Sequence, residues 1–307
     1  MSDNFCQPKP DICAVVVTYN RKDLLSECLV SLMAQTAGSR LDILVIDNAS
    51  TDGTHASLEG LIASGEIKYV NTGANLGGAG GFSYGIGKAV ELGYQYVWVM
   101  DDDCMPEPSA LEGFLECDRS LNGEYGFLSS QVRWRDGSLC AMNVQRTTLS
   151  KRVSDFESSR VPIILASFVS LFVPTRVVKR FGLPIAEFFV WTDDWEFTRR
   201  ISRELPCYLV NGSVVIHKSA RNIGASVADE DASRLGRFRT MFRNDVVLYR
   251  GEGLRGFCYE VARITVHTLR VLLRARDHRM ERLAAIYGGT IDGLRFFPEI
   301  EYIGSGS

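Results

Sequence analysis

Over the first hundred positions, short apolar runs rich in β-branched residues alternate with stretches of helical spacing. Ile12 to Thr18 and Leu41 to Ile46 read as strands buried on both faces. Between them Leu24, Leu25, Cys28, Leu29, Leu32 and Met33 recur at helical spacing behind Asp23, the expected helix cap. A polar turn over 47–53 opens a second helix expected to reach about Ala63. Ile67 to Val70 is a short third strand, the glycine-rich loop 75–81 follows, and a helix is expected from about Phe82 to Leu92. Val97 to Met100 is the fourth buried run. This alternation predicts an α/β chain with parallel strands and right-handed crossovers. After Pro106 the pattern weakens to a helix over 107–121, short strands with polar loops over 127–160 and a strand-like run from Ile163 to Val173. A helix opens near Asp193, Val214 to Ile216 forms a strand, and the chain from Asp229 onward is mostly helical.

The fourth run stops at Asp101, Asp102 and Asp103, and Pro106 rules out easy continuation of the ladder. Three like charges at the end of a buried strand are costly unless a cation sits among them. Hard oxygen donors suit Mg2+ or Mn2+, which also take phosphate oxygens. Strand alternation lets Asp101 and Asp103 share a side while Asp102 points away. A solvated acidic turn would use the same residues. In parallel sheets ligands bind beyond the carboxyl ends of the strands, and residues 18–20, 47–52 and 101–103 all lie at such ends. That coincidence argues for a nucleotide site. A second cluster, Asp193, Asp194 and Glu196, follows a run of aromatics. It falls in the first turn of a helix, where the macrodipole favours negative charge, so capping also accounts for it. His217 ends the last strand, a common place for a core histidine.

Composition narrows the class. A chain of 307 residues holds one large α/β domain, or a domain with an appendage. Hydrophobic content of 46% and charged content of 23% are ordinary for a globular protein, and a net charge of −3 gives no whole-molecule case for nucleic acid. The eight cysteines (6, 13, 28, 104, 117, 140, 207 and 258) contain no Cys-x-x-Cys pair and are expected as reduced core residues. Met1 to Lys9 carries no signal-peptide core, and the longest apolar run, Val161 to Val173, is too short for a bilayer. A cytoplasmic chain is therefore expected. The tail is rich in arginine, including Arg234, Arg243, Arg263, Arg270, Arg274, Arg276 and Arg279. It reads either as a contact for anionic headgroups or as a solvated face whose stems cover apolar surface.

Five stretches together resemble the inverting family 2 glycosyltransferases, in that family's order, over roughly residues 11–220. They are Val17-Thr18-Tyr19-Asn20-Arg21, residues 47–53, the Asn75-Leu76-Gly77-Gly78-Ala79-Gly80-Gly81 loop, Asp101-Asp102-Asp103 and Trp191-Thr192-Asp193-Asp194-Trp195-Glu196. The glycine loop, the triple aspartate and the later pair look most like bacterial galactofuranosyltransferases and the related rhamnosyltransferases, as does Arg243-Asn244. Thr192 departs from those relatives, which often carry Trp directly before the pair; the departure concerns the acceptor wall.

The resemblance implies a GT-A domain over 1–225, Rossmann-like with a mostly parallel central sheet flanked by helices, and a helical C-terminal region over 226–307 facing acceptor or membrane. It implies nucleotide contacts from Thr18, Asn20, Arg21, Asp47 and Asn48, and donor contacts from Asn75, Gly77, Gly78, Gly81, Asp101 and Asp102. It implies Mn2+ or Mg2+ on Asp101, Asp103 and His217, and a catalytic base in Asp194 with Asp193 and Glu196 beside it. The donor expected is UDP-galactofuranose, with dTDP-rhamnose second. The acceptor expected is a glycan or lipid-linked hydroxyl in bacterial surface polysaccharide synthesis, at the inner face of the plasma membrane, with no nucleic-acid partner.

The chemistry agrees with these assignments. A departing nucleoside diphosphate gathers negative charge that a divalent cation stabilises, and an acceptor hydroxyl needs a carboxylate to take its proton. Direct attack inverts the anomeric centre without a protein nucleophile, so the cysteines receive no role. A nucleotidyltransferase also pairs a parallel sheet with metal-binding carboxylates, but it wants a glycine-rich phosphate loop after the first strand, and residues 18–23 hold no glycine. A non-catalytic nucleotide-sugar binder would have no use for the second carboxylate cluster.

Overall fold

A computed structural model of the chain describes residues 10–304; the readings made for Met1 to Lys9, Cys6 included, lie outside it. The first half alternates as expected: β1 (Ile12–Thr18), α1 (Lys22–Met33), β2 (Leu41–Asp47), α2 (Thr54–Ala63), β3 (Lys68–Asn71), α3 (Gly77–Glu91) and β4 (Tyr96–Asp101). Then come β5 (Cys104–Pro106), α4 (Ala110–Ser120), β6 (Leu128–Trp134), β7 (Arg160–Pro162), β8 (Leu171–Pro174), α5 (Thr175–Phe181), α6 (Asp193–Ser202) and β9 (Tyr208–His217). Three helices close the chain, α7 (Leu235–Arg250), α8 (Gly253–Arg274) and α9 (Arg279–Arg295).

One sheet runs in the order β3-β2-β1-β4-β8-β6-β9-β5, with β7 also on β9. The block β3-β2-β1-β4 is parallel, whereas β8 joins β4 and β6 antiparallel and β5 joins β9 antiparallel. Successive residues of β1 serve opposite faces. Ile12, Ala14 and Val16 pack with Leu25, Leu29, Trp98 and Phe114 under α1 and α4. Cys13, Val15 and Val17 pack with Phe82, Ile86 and Phe197 under α3 and α6. Both faces of the strand are covered, which is why its sequence is continuously apolar.

Three expectations change. The strand-like run from Ile163 to Val173 is mostly irregular, and only its end, with Pro174, forms β8. Asp23 lies in the first turn of α1 and is not its cap. The glycine run is not a loop: α3 begins at Gly77, five residues before the expected start. Glycine is a poor helix former, but packing overrides propensity here. At Gly85 a Cβ would meet Val15 Cγ1 at 2.5 Å, so the missing side chain lets the helix lie directly on β1.

Candidate active site

Register brings the chemistry to one edge. Thr18 pairs with Asp47, Val17 with Asp101 and Asp47 with Asn71, so the carboxyl ends of all four parallel strands finish level. The loops beyond them are tied together: the Thr51 and Lys22 amides donate to Asn20 Oδ1 (2.7 Å) and Asp52 Oδ2 (3.1 Å), and the Asn20 amide donates to Ser50 Oγ (2.8 Å). Asp47, expected to touch the nucleotide, is fully buried. Its carboxylate accepts from Tyr69 OH (2.5 Å) and the Ser50 amide (2.8 Å), so it shapes the loop. Asn48 donates to Gly77 O at 2.9 Å, and its Oδ1 is buried without a partner among the described residues. Asn75 Oδ1 accepts from the Gly77 amide at 2.9 Å, so β2 and the start of α3 share this rim with Gly78 and Gly81.

The aspartate triplet sits beside it. Asp102 does not point away: it is 4% exposed, and Thr18 Oγ1 donates to its Oδ2 at 2.8 Å. Arg21 Nη1 reaches Asp102 Oδ1 (3.3 Å) and Asp103 Oδ2 (2.9 Å). The β5–β9 register sets Cys104 opposite His217, which brings His217 Nε2 within 3.1 Å of Asp103 Oδ1. Asn143 Oδ1 lies 2.8 Å from His217 Nδ1 and fixes the ring with Nε2 toward the carboxylates. Burial disfavours the imidazolium, but the bond to Asp103 outweighs it and raises the His217 pKa to about 10. The same contact holds the Asp103 carboxyl below its ordinary range despite burial. Burial and then the charge of Asp103 push Asp101 up to about 7, and burial pushes Asp102 up to about 6 against the pull of Arg21 and Thr18.

This cluster recruits cations, here a guanidinium and an imidazolium. Donor atoms of Asp103, Cys104 and His217 lie within 4.8 Å of one another. The Cys104 thiol, however, is held protonated by burial and Asp103, and a soft buried thiol is not what Mn2+ or Mg2+ selects. Asp101 feels the charges of both Asp103 and His217. Asp103 and, once it gives up its proton, the oriented His217 ring supply donors that fit a hard divalent ion, with the charge of Asp101 close by.

The second carboxylate cluster opens α6 on the same side. Asp194 Oδ1 accepts from the Trp195 amide at 2.7 Å. Burial, then Asp193, and also Asp101 raise the Asp194 pKa well above the carboxylate range, so the two clusters are within electrostatic reach. Asp193 is pushed up to about 6 by burial. Glu196, expected beside the base, is committed elsewhere. It pairs with Arg200 at 2.7 Å, and Arg200 in turn donates to the Leu183 and Phe181 carbonyls, anchoring α6 to α5. The structure thus gathers Thr18, Arg21, Asp101, Asp102, Asp103, Asp194 and His217, and Glu196, though paired to Arg200, still acts on Asp193 through its charge. Sequence reasoning missed Asn143, which lies in a stretch with no periodicity to flag it, and Arg146, whose guanidinium stacks 4.3 Å from the Trp195 ring.

Residues 13–117 match the model of the glycosyl transferase family 2. That stretch is similar to the family 2 glycosyltransferases. Galactofuranosyltransferase GlfT1 of Mycolicibacterium smegmatis is 29% identical over 202 residues, covering 62% of this chain and 65% of that protein. The GlfT1 of Mycobacterium tuberculosis is 31% identical over 202 residues, 62% of this chain and 64% of that protein. The chain spans just under two thirds of the length of these relatives. Among solved structures, GalNAc-T7 with UDP, GalNAc and Mn2+ superposes with TM-score 0.65 at 14% identity, covering 92% of this chain and 55% of that one. A mannosyltransferase of Pyrobaculum calidifontis with GDP-Man and Mn2+ gives 0.56 at 15% identity, covering 95% and 77%. These likenesses establish the GT-A fold.

Proposed function

We propose that the chain is an inverting, metal-dependent transferase that moves galactofuranose from UDP-galactofuranose to a hydroxyl of a glycan or lipid-linked acceptor. One observation carries the reading: Asp194, half-buried in the first turn of α6, accepts from the Trp195 amide through Oδ1, and its pKa is raised above the carboxylate range by burial, by Asp193 and by the charge of Asp101 at the carboxyl edge of the sheet. The names of the curated relatives favour galactofuranose, and two structural neighbours hold Mn2+.

In this reading Asp101, Asp103 and His217 hold Mn2+ or Mg2+, which when bound supplies Lewis-acid stabilisation of the leaving diphosphate. Arg21 adds fixed positive charge on the same side. Asn48 Oδ1, buried and unpartnered, offers an acceptor to the nucleotide sugar. Asp194 keeps Oδ1 on the Trp195 amide, and its Oδ2 takes the acceptor proton as the hydroxyl oxygen bonds to the anomeric carbon and the carbon–diphosphate bond breaks on the opposite face.

The C-terminal region beyond 225 extends the reading to the acceptor. Among the described residues no helix is long and apolar enough to cross a membrane. Yet α8 exposes Leu254, Phe257, Leu269, Leu272 and Leu273 beside Arg270, Arg274 and Arg276, the pattern of a helix lying on an anionic lipid surface.

The test is a thermal shift with UDP and with dTDP, each with and without Mn2+, followed by UDP release from UDP-galactofuranose with a synthetic alkyl glycoside as acceptor. The expected result is a Mn2+-dependent shift, larger with UDP, and an Asp194→Asn variant that binds as wild type but turns over about 10²-fold or more slower. A larger shift with dTDP moves the donor to dTDP-rhamnose. Undiminished transfer by Asp194→Asn refutes the base.

A further inference from the structure

The segment 187–192 that delivers Asp193 and Asp194 is held in backbone conformations its residues avoid. Phe189, Trp191 and Thr192 have φ of 63°, 65° and 72°, and Thr192 is β-branched, for which the left-handed region is least tolerated. Phe189, with ψ of −53° and a bond from the Val190 amide to Phe188 O at 2.7 Å, forms a strained γ-turn. Such geometry persists only where surrounding groups over-determine it.

Those groups come from three consecutive residues of α7, more than fifty positions downstream. Asn244, fully buried, donates through Nδ2 to the carbonyls of Phe188 (3.1 Å), Val190 (3.2 Å) and Trp191 (2.9 Å). Arg243 donates to Asn244 Oδ1 from Nε (3.0 Å) and Nη2 (2.8 Å), which fixes the amide with its donors toward the segment, and also reaches Glu187 O at 2.8 Å. Asp245 Oδ1 accepts from Thr192 Oγ1 at 2.9 Å, while its Oδ2 pairs with Arg263 of α8 at 2.7 Å. Every strained residue lies beside one of these bonds, and the last of them is the N-cap of α6.

We infer that Asn244 is a positioning residue for transfer, with Arg243 orienting it and Asp245 locking Thr192, so that the segment presents Asp194 toward Asp101. The inference rests on the proposed role of Asp194. It assigns catalytic geometry to a helix that lies outside the strands carrying the aspartate triplet and His217.

Two variants test it. Asn244→Ala removes all three carbonyl contacts; Thr192→Val keeps shape and removes only the hydroxyl, and it carries the comparison if Asn244→Ala does not fold. Each is measured for UDP affinity with Mn2+, for kcat and KM with UDP-galactofuranose, and for amide hydrogen exchange. The expected result is UDP affinity and donor KM within about twofold of wild type, with kcat lower on the order of tenfold or more, because small misplacement of a reacting group is costly. Exchange should quicken at the Val190 and Glu196 amides, which bond within the segment, and not at 200–203 in the last turn of α6. Adding Phe189→Gly to Asn244→Ala should restore part of kcat, since glycine takes positive φ freely. Unchanged kcat in folded variants overturns the inference, and so does loss of UDP affinity in parallel with kcat and with exchange quickened throughout α6. If the wild type itself transfers nothing, the functional reading fails, and exchange at 190 and 196 still decides whether α7 holds the segment.

Discussion

Replacing Gly77 with alanine should damage stability and turnover together, through a single contact. Gly77 opens α3 with φ of 71°, and a Cβ there would lie 2.1 Å from Phe189 O and 2.7 Å from Phe189 Cδ2. The Ala79 amide donates to that same carbonyl at 3.2 Å, so moving the oxygen away also breaks this bond. The left-handed backbone costs alanine about 1–2 kcal/mol, and forcing an extra carbon into a packed contact costs about 1–3 more. A loss of about 2–5 kcal/mol in a chain of this length lowers Tm by roughly 3–8 °C. The displaced segment leads within a few residues to Asp193 and Asp194, and a shift near 1 Å in a reacting group costs about 10²-fold in rate. Calorimetry gives the first quantity and UDP release from UDP-galactofuranose the second. Gly60→Ala in α2 is the control: a Cβ there meets nothing within 4 Å, so the change should be neutral or stabilising by up to about 1 kcal/mol. Full turnover and an unmoved Tm in Gly77→Ala would refute the coupling of α3 to the segment before α6.

Three further outcomes are expected. Asp101→Asn should remove the Mn2+-dependent shift with UDP, worth about 2.7 kcal/mol in wild type at a hundredfold excess over Kd, yet raise Tm without ligands at pH 8, because burial and Asp103 push this carboxyl up to about 7 and its ionisation there opposes folding; a lowered ligand-free Tm would contradict that electrostatic account. His267 is held neutral by burial and by Arg263 and Arg270, against Asp245, with its pKa lowered to about 4. An unfolded histidine protonates near 6.5, so this contribution is full above pH 6.5 and is lost as pH falls toward 4; it amounts to roughly 2 kcal/mol, and Tm measured from pH 7 to pH 4 should fall less in His267→Gln than in wild type. Reversing the charge of Arg270, Arg274 and Arg276 should abolish flotation with vesicles of anionic lipid, and flotation left intact would remove the lipid contact.

The first half of the fold was legible because its signal is local. β1, β2 and β4 are continuous apolar runs buried on both faces, and their carboxyl ends follow from the alternation of strand and helix. The start of α3 was misread because propensity argues against helix across glycines, while the reason they are helical, contact with β1 and with Phe189, is tertiary. Asp102 was misread because strand alternation was applied past the end of β4, where the chain turns and Asp102 swings to Thr18. Asp47 stands at the level edge where a ligand is expected, and its bonds to Tyr69 and the Ser50 amide, supplied by β3 and the turn after β2, could not be read from the local pattern. Glu196 carried the spacing of the resemblance, but its pairing with Arg200 one turn later, which commits its carboxylate to holding α6, was not read from it. Local pattern reports what one element does; which side chains it meets across the sheet edge is set by register.

Thr192 shows how far that limit reaches. Read from sequence, it is a departure from relatives that place Trp before the aspartate pair, and its consequence was assigned to the acceptor wall. In the structure its hydroxyl is the group that Asp245 accepts from, and Trp191, one place earlier, packs edge-on against Phe238 of α7 at 5.1 Å. Both residues therefore face the C-terminal helices. The division proposed at 225/226 follows the change from strands to helices, but it separates Asp194 from the residues that fix its approach. Asp245 is fixed in turn by Arg263, which also pairs with Glu260 at 2.8 Å, so α8 supports α7 as α7 supports the segment before α6. These are buried, charge-assisted bonds, and removing one partner leaves the other charge uncompensated. The helical region whose α8 is proposed to lie on lipid is then mechanically continuous, through Arg263, Asp245 and Thr192, with Asp194, the proposed base.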